Sequence, residues 1–164
     1  MLILTLTAGE GEVSIPEVDL QPKVKEVSVP VIVENVKGAM AIWLEIEFDS
    51  KMIEATEIIY SDAVKDMMRS DNITPGKIII AMAGVNARNL DGELLKIRFR
   101  LSDKVKDGSS IELRISKVDF NEGAIKVKVR DGVINVGRPS SLKVRSKQAI
   151  TWGWMKTYAR RVGR

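Results

Sequence analysis

Glu45 and Glu47 sit two residues apart in the stretch AIWLEIEF, and they are the residues whose type and spacing first suggest chemistry. Side chains alternate faces along a strand, so a strand here puts both carboxylates on one side. Two carboxylates can hydrolyse a glycosidic bond, one as the acid and the other as base or nucleophile. That reaction needs a cleft. On an open strand face the pair reads better as a solubilising stripe. Trp43 shares the face, and a tryptophan among glutamates on the wet side is the anomaly of the segment.

Other constellations are weaker. Asp119, Asn121, Glu122 and Asp131 offer oxygen ligands that suit calcium, but acids in turns are usually just solvated, and no metal site is assigned. The chain has no Cys and no His. Disulfides and thiolate zinc sites are therefore impossible, and the commonest general base and metal ligand is missing. No serine has an evident base partner. No catalytic residue is assigned and the chain reads as a non-enzyme, so its function must lie in what a surface binds. Asn72-Ile73-Thr74 matches the acceptor sequence for N-linked glycosylation, a short pattern that also arises by chance.

The elements that position these residues read as strands. In Val27–Val33 the odd positions are valine. In 42–48 the residues Ile42, Leu44, Ile46 and Phe48 point one way, and Trp43, Glu45 and Glu47 the other. Strands are expected over 12–20, 23–35, 39–48, 52–60, 77–83, 92–101, 110–120, 124–130 and 132–136. Turn signals stand at Val36-Lys37-Gly38, Thr74-Pro75-Gly76, Asp91-Gly92, Asp107-Gly108, Glu122-Gly123 and Asp131-Gly132. Regular short strands without long helical periods predict an all-β, antiparallel β-sandwich. Ile42, Leu44, Ile46, Phe48, Ile97 and Phe99 are its expected core. Within 9–137 only 61–70 suits a helical turn, with Ser61 or Asp62 as its cap.

The chain has 164 residues, enough for one sizeable core. Three parts are expected: 1–8, an N-terminal strand or signal-peptide remnant; 9–137, the sandwich; and 138–164, a basic tail opened by the linker-like RPSS. In the tail, Ile150, Trp154, Tyr158 and Val162 recur every four residues, the spacing of one helix face. The net charge of +4 misleads, because 138–164 holds eight Lys or Arg and no acid, which leaves −4 for residues 1–137. A mildly acidic body gives no electrostatic case for nucleic acid. No apolar run is long enough to span a membrane. Frequent Lys, Glu and Ile lean towards a thermophile, and seven Met lean against it.

The strand signatures, in order, resemble the cohesin domain, including archaeal non-cellulosomal members. The resemblance spans roughly residues 12–136. It is carried by VSIPEVDL, VSVPVIVENVKG, IEFDSKMIEATEI, GKIIIAMAG, LDGELLKIRFRL and DGVINV. It implies a nine-stranded sandwich of jelly-roll topology, no catalysis, and capture of a dockerin or dockerin-like module. It also implies an extracellular or cell-surface address. Dockerins carry calcium on loops of the form D-x-[DN]-x-[DN]-G. That pattern is absent here, which puts this chain on the receptor side and the calcium on the partner, with no cofactor of its own.

The resemblance places the partner face on strands matching 39–48, 77–83 and 110–118. The family's polar Asn and Asp pair falls on Ala41 and Trp43, a departure, and its apolar contacts fall on Ile80 and Met82. The residues themselves suggest a similar patch. Ile78–Ala83 is apolar at both parities, so with Ile79, Ala81 and Ala83 inward, Ile78, Ile80 and Met82 face out and need a cover. Glu45 and Arg114 then supply a polar rim. The expected partner-binding set is Ala41, Trp43, Glu45, Ile78, Ile80, Met82 and Arg114. A carbohydrate-binding sandwich and a self-associating domain of a surface layer, dimerising through this patch, are the alternatives.

Overall fold

The computed structural model describes residues 10–137. The expectations for 1–8 and 138–164 lie outside the described residues. The described chain is all-β. Its strands are β1 (Gly11–Ser14), β2 (Glu17–Leu20), β3 (Glu26–Glu47), β4 (Ile53–Tyr60), β5 (Met68–Thr74), β6 (Lys77–Leu101), β7 (Ser110–Phe120), β8 (Val127–Arg130) and β9 (Gly132–Val136).

Two of them, β3 and β6, are long and organise the rest. They run antiparallel from Glu26↔Arg100 to Glu47↔Lys77, with register shifts between Val31 and Ala41. The first half of β3 and the second half of β6 pair with β1 and β4. The other halves pair with β7 and β5. The sheet therefore curls, and both halves contribute side chains to one apolar cluster. Val31, Val33, Leu95 and Phe99 come from one half and Leu44, Ile46, Ile80 and Leu113 from the other. Ile42, Leu44, Ile46, Ile97 and Phe99 are buried as expected, and Phe48 packs half-buried against them.

Two expected turns are bulges instead. Val36-Lys37-Gly38 lies inside β3 and Asp91-Gly92 inside β6. Extra residues on one strand bend the pair without ending it, and Asn35 and Gly38 take positive φ there. The freed backbone groups find side chains. Asn121 Oδ1 accepts from the N–H groups of Met40 and Ala41 at 2.8 and 3.0 Å, and Asn121 Nδ2 donates to Gly38 O at 2.9 Å. Asn89 Oδ1 accepts from Gly38 N at 3.1 Å. Turn-forming residue types thus act here as acceptors that close a bend from across the sheet.

Other differences have local causes. The expected strand 12–20 divides at Ile15-Pro16, where proline has no N–H for the ladder. β1 then pairs with β3 and β8, and β2 pairs with β9. The pairs β1–β8 and β2–β9 are parallel, so the sheet is mixed rather than purely antiparallel. Each joins segments about a hundred residues apart, where no tight hairpin imposes an antiparallel course. Within 61–70 only Asp62–Val64 forms a short 3-10 turn, and the Ser61 side chain makes no cap hydrogen bond. β5 follows at once; its mostly polar, exposed sequence hid it from pattern reading.

Candidate functional site

The register of β5, β6, β3 and β7 builds one open face. Ile42, Leu44 and Ile46 point into the core, so Ala41, Trp43, Glu45 and Glu47 point out. Across β6 their partners are Ala83, Ala81, Ile79 and Lys77. Beyond these stand Met68, Ser70, Asn72 and Thr74 of β5. On the other side Trp43 pairs with Asp119, Glu45 with Lys117 and Glu47 with Arg114 of β7.

This register corrects part of the expected set. Ile78, Ile80 and Met82 are only 0%, 0% and 2% exposed. They pair with Ile46, Leu44 and Ile42, and directly opposed residues of an antiparallel pair share a face. A strand apolar at both parities does not reveal its own inward side; its neighbour on β3 decides it. The outward residues of β6 are Ile79 and Ala81, both half-buried, and Ala83. Ala41, Trp43, Glu45 and Arg114 do lie on the outer face, as expected.

The face has two zones. In one, Trp43 is 39% exposed and rises beside the small side chains of Ala41, Ala81 and Ala83. A shallow depression there is lined by Ala41, Ile42, Trp43, Ala81, Met82, Lys117, Asp119 and Glu122, so Met82, although buried, borders it. Met68, 80% exposed, is in register with Ala83 and Ala41 on this face, and Val85, 89% exposed, lies two residues beyond Ala83 on β6. Neither stands out in the sequence, because Met68 lies on a strand without alternation and Val85 lies where the β3–β6 register shifts between Ala83 and Arg88. The other zone is ionic. Lys77 Nζ lies 3.0 Å from Glu45 and 3.9 Å from Glu47, and Arg114 reaches Glu47 at 2.6 Å.

Trp43 joins the zones. Its indole N–H donates to Glu45 Oε2 at 2.7 Å, and Lys117 Nζ lies 5.6 Å from the ring centroid. The Trp43 hydrogen bond, then Lys77, hold the Glu45 carboxyl below its ordinary pKa. Arg114 does the same for Glu47. Both carboxylates are thus kept charged and tied to neighbours, a poor starting point for a general acid. Arg114 completes the rim through Glu47 rather than Glu45. The turn acids considered for calcium have structural tasks: Asp119 accepts from Gly123 N, and Asp131 accepts from Ile115 N at 2.9 Å. Among the described residues no group of three or more acids converges on a metal position.

The family profile of the cohesin domain matches residues 11–136. This chain belongs to the cohesin family. Solved structures agree on the fold. A non-cellulosomal cohesin from the hyperthermophilic archaeon Archaeoglobus fulgidus is similar with a TM-score of 0.70 at 15% identity, over 85% of this chain and 100% of that one. A cohesin in a type I cohesin–dockerin complex from Clostridium thermocellum gives 0.69 at 22%, over 78% and 99%. A cohesin from Clostridium acetobutylicum, solved in solution, gives 0.66 at 21%, over 77% and 90%. No curated protein sequence matches the chain. As a cohesin, it shares the family's fold and carries Ala41 and Trp43 on the outer face of β3.

Proposed function

We propose that this cohesin is a non-catalytic receptor module that captures a dockerin or dockerin-like protein on the outer face of β5, β6, β3 and β7. The observation that carries the reading is the exposed Trp43 beside a shallow depression lined in part by Ala41 and Ala81, with the exposed Met68 in register with Ala83 and Ala41 on the same face. Aromatic residues and methionine are enriched in the cores of protein interfaces, where a ring of polar contacts excludes water. The ion pairs of Glu45, Glu47, Lys77 and Arg114 supply that polar edge. The partner brings its own calcium, which orders the partner rather than this chain. Jelly-roll wiring and an extracellular or cell-surface address belong to the same reading.

A protein partner fits this face better than a sugar. Stacking platforms present open aromatic faces, and here Lys117 lies over the one exposed aromatic among the described residues, whose N–H is already taken by Glu45. The test is a pull-down of dockerin modules from the same genome, with calcium and with a chelator. Calcium-dependent capture supports the reading. Binding to polysaccharide instead, or a sizing-column dimer that dissolves on Trp43→Ala, assigns the face to a glycan or to a second copy.

A further inference from the structure

We propose that Asn72 is an acceptor for an N-linked glycan, attached at the β5 border of the face that carries Trp43. The asparagines of this chain differ in what they do. Asn121 spans the β3 bulge with three hydrogen bonds, Asn89 accepts from Gly38 N, and Asn135 is buried and donates to Glu17 and Asp19. Each of these amides is committed to the fold. The Asn72 side chain is exposed and has no partner among the described residues. Asn72 is also the one asparagine of the chain followed two positions later by Ser or Thr.

The strand geometry makes that pattern presentable. Ile73 is half-buried against the core, so its neighbours Asn72 and Thr74 both point outward. Pro75 holds Thr74 extended, which keeps the two on one side. Among the described residues β5 pairs only with β6, which leaves its other edge for an enzyme to approach. In the reaction, the Asn72 amide nitrogen bonds to the anomeric carbon of a lipid-linked oligosaccharide. The bond from that carbon to the lipid phosphate breaks, the phosphate leaves with the electron pair, and the amide proton passes to a base of the transferase. Asn72, Ile79 and Glu45 are in register across three strands. The glycan therefore stands about 10 Å from Glu45 along the sheet.

The test is glycopeptide mass spectrometry on the full chain purified from the cells that make it. The expected result is a glycan on the Asn72 peptide, lost in Asn72→Gln and Thr74→Ala and kept in Thr74→Ser. Asn72→Gln and Thr74→Ser should keep the melting temperature within about 4 °C, because the first side chain is exposed and the second keeps the hydroxyl that donates to Lys77 O; Thr74→Ala loses that exposed bond and should still fold. An unmodified Asn72 in that protein, or a glycan that persists in Thr74→Ala, overturns the proposal. Neither result depends on whether a dockerin binds.

Discussion

Trp43 and Glu45, two residues apart on β3, are joined side chain to side chain: the indole N–H donates to the carboxylate at 2.7 Å. Both project from the same face because a strand has a period of two. The bond fixes the direction of the ring before any partner arrives. A preorganised side chain loses less freedom on binding, so the pair bears directly on how the face works.

That bond has a pH dependence of definite sign. Glu45 is held below its ordinary pKa, first by the Trp43 N–H and then by Lys77. A depressed carboxyl contributes stability that is present above the unfolded pKa, about 4.3, and lost as pH falls through the folded value. The indole N–H resonance of Trp43 should stay constant above about pH 5 and move only below the ordinary glutamate range. In Glu45→Gln the movement should vanish. A midpoint at or above the ordinary glutamate value would show that the bond is absent in solution.

The corrected parity of β6 separates core from surface. Ile80→Ala should cost about 2–5 kcal/mol in urea unfolding, because it opens a cavity beneath Leu44. Ala81→Ser, one residue away on the outer face, should change stability by less than about 0.5 kcal/mol. Equal costs would contradict the register.

Phe99 is fully buried and meets Phe48 edge to face, with ring centroids 5.3 Å apart. Phe99→Ala should lower unfolding free energy by roughly 3–5 kcal/mol. A loss below about 1 kcal/mol would mean that the two halves of the sheet do not share this core.

No glycan or peptide hydrolysis should accompany the purified protein. Glu45 and Glu47 are bound to Trp43, Lys77 and Arg114 on an open face, and neither the depressed pKa values nor the site suits acid catalysis. Turnover that scales with protein and disappears in Glu45→Gln would refute this.

Much of this was legible in the sequence, and the limits are physical. Alternation over Ile42–Phe48 placed Trp43 and Glu45 outside and Leu44 inside, because only one parity was apolar. Ile78–Ala83 offered no such contrast, and its facing came only from the pairing of Ile80 with Leu44. Gly38 and Gly92 read as turns because a bulge and a turn need the same positive φ. β5 was missed because an exposed edge strand such as Met68–Thr74 need not alternate. The parallel pairs β1–β8 and β2–β9 left no local signal, since long-range pairing is not written in either strand alone.

The central claim is that partner binding centres on Trp43, and titration calorimetry of wild type and Trp43→Ala against a captured dockerin module tests it most directly. The account predicts a loss of about 2 kcal/mol or more, roughly thirtyfold in Kd, with the fold intact and the melting temperature lowered by no more than about 4 °C. Chelating calcium should abolish binding in both proteins through the partner's own fold. Normal affinity in Trp43→Ala, with binding lost instead on substitution of Lys126, Lys128 and Arg130, which are exposed in or next to β8, would place the site away from Trp43 and contradict the account.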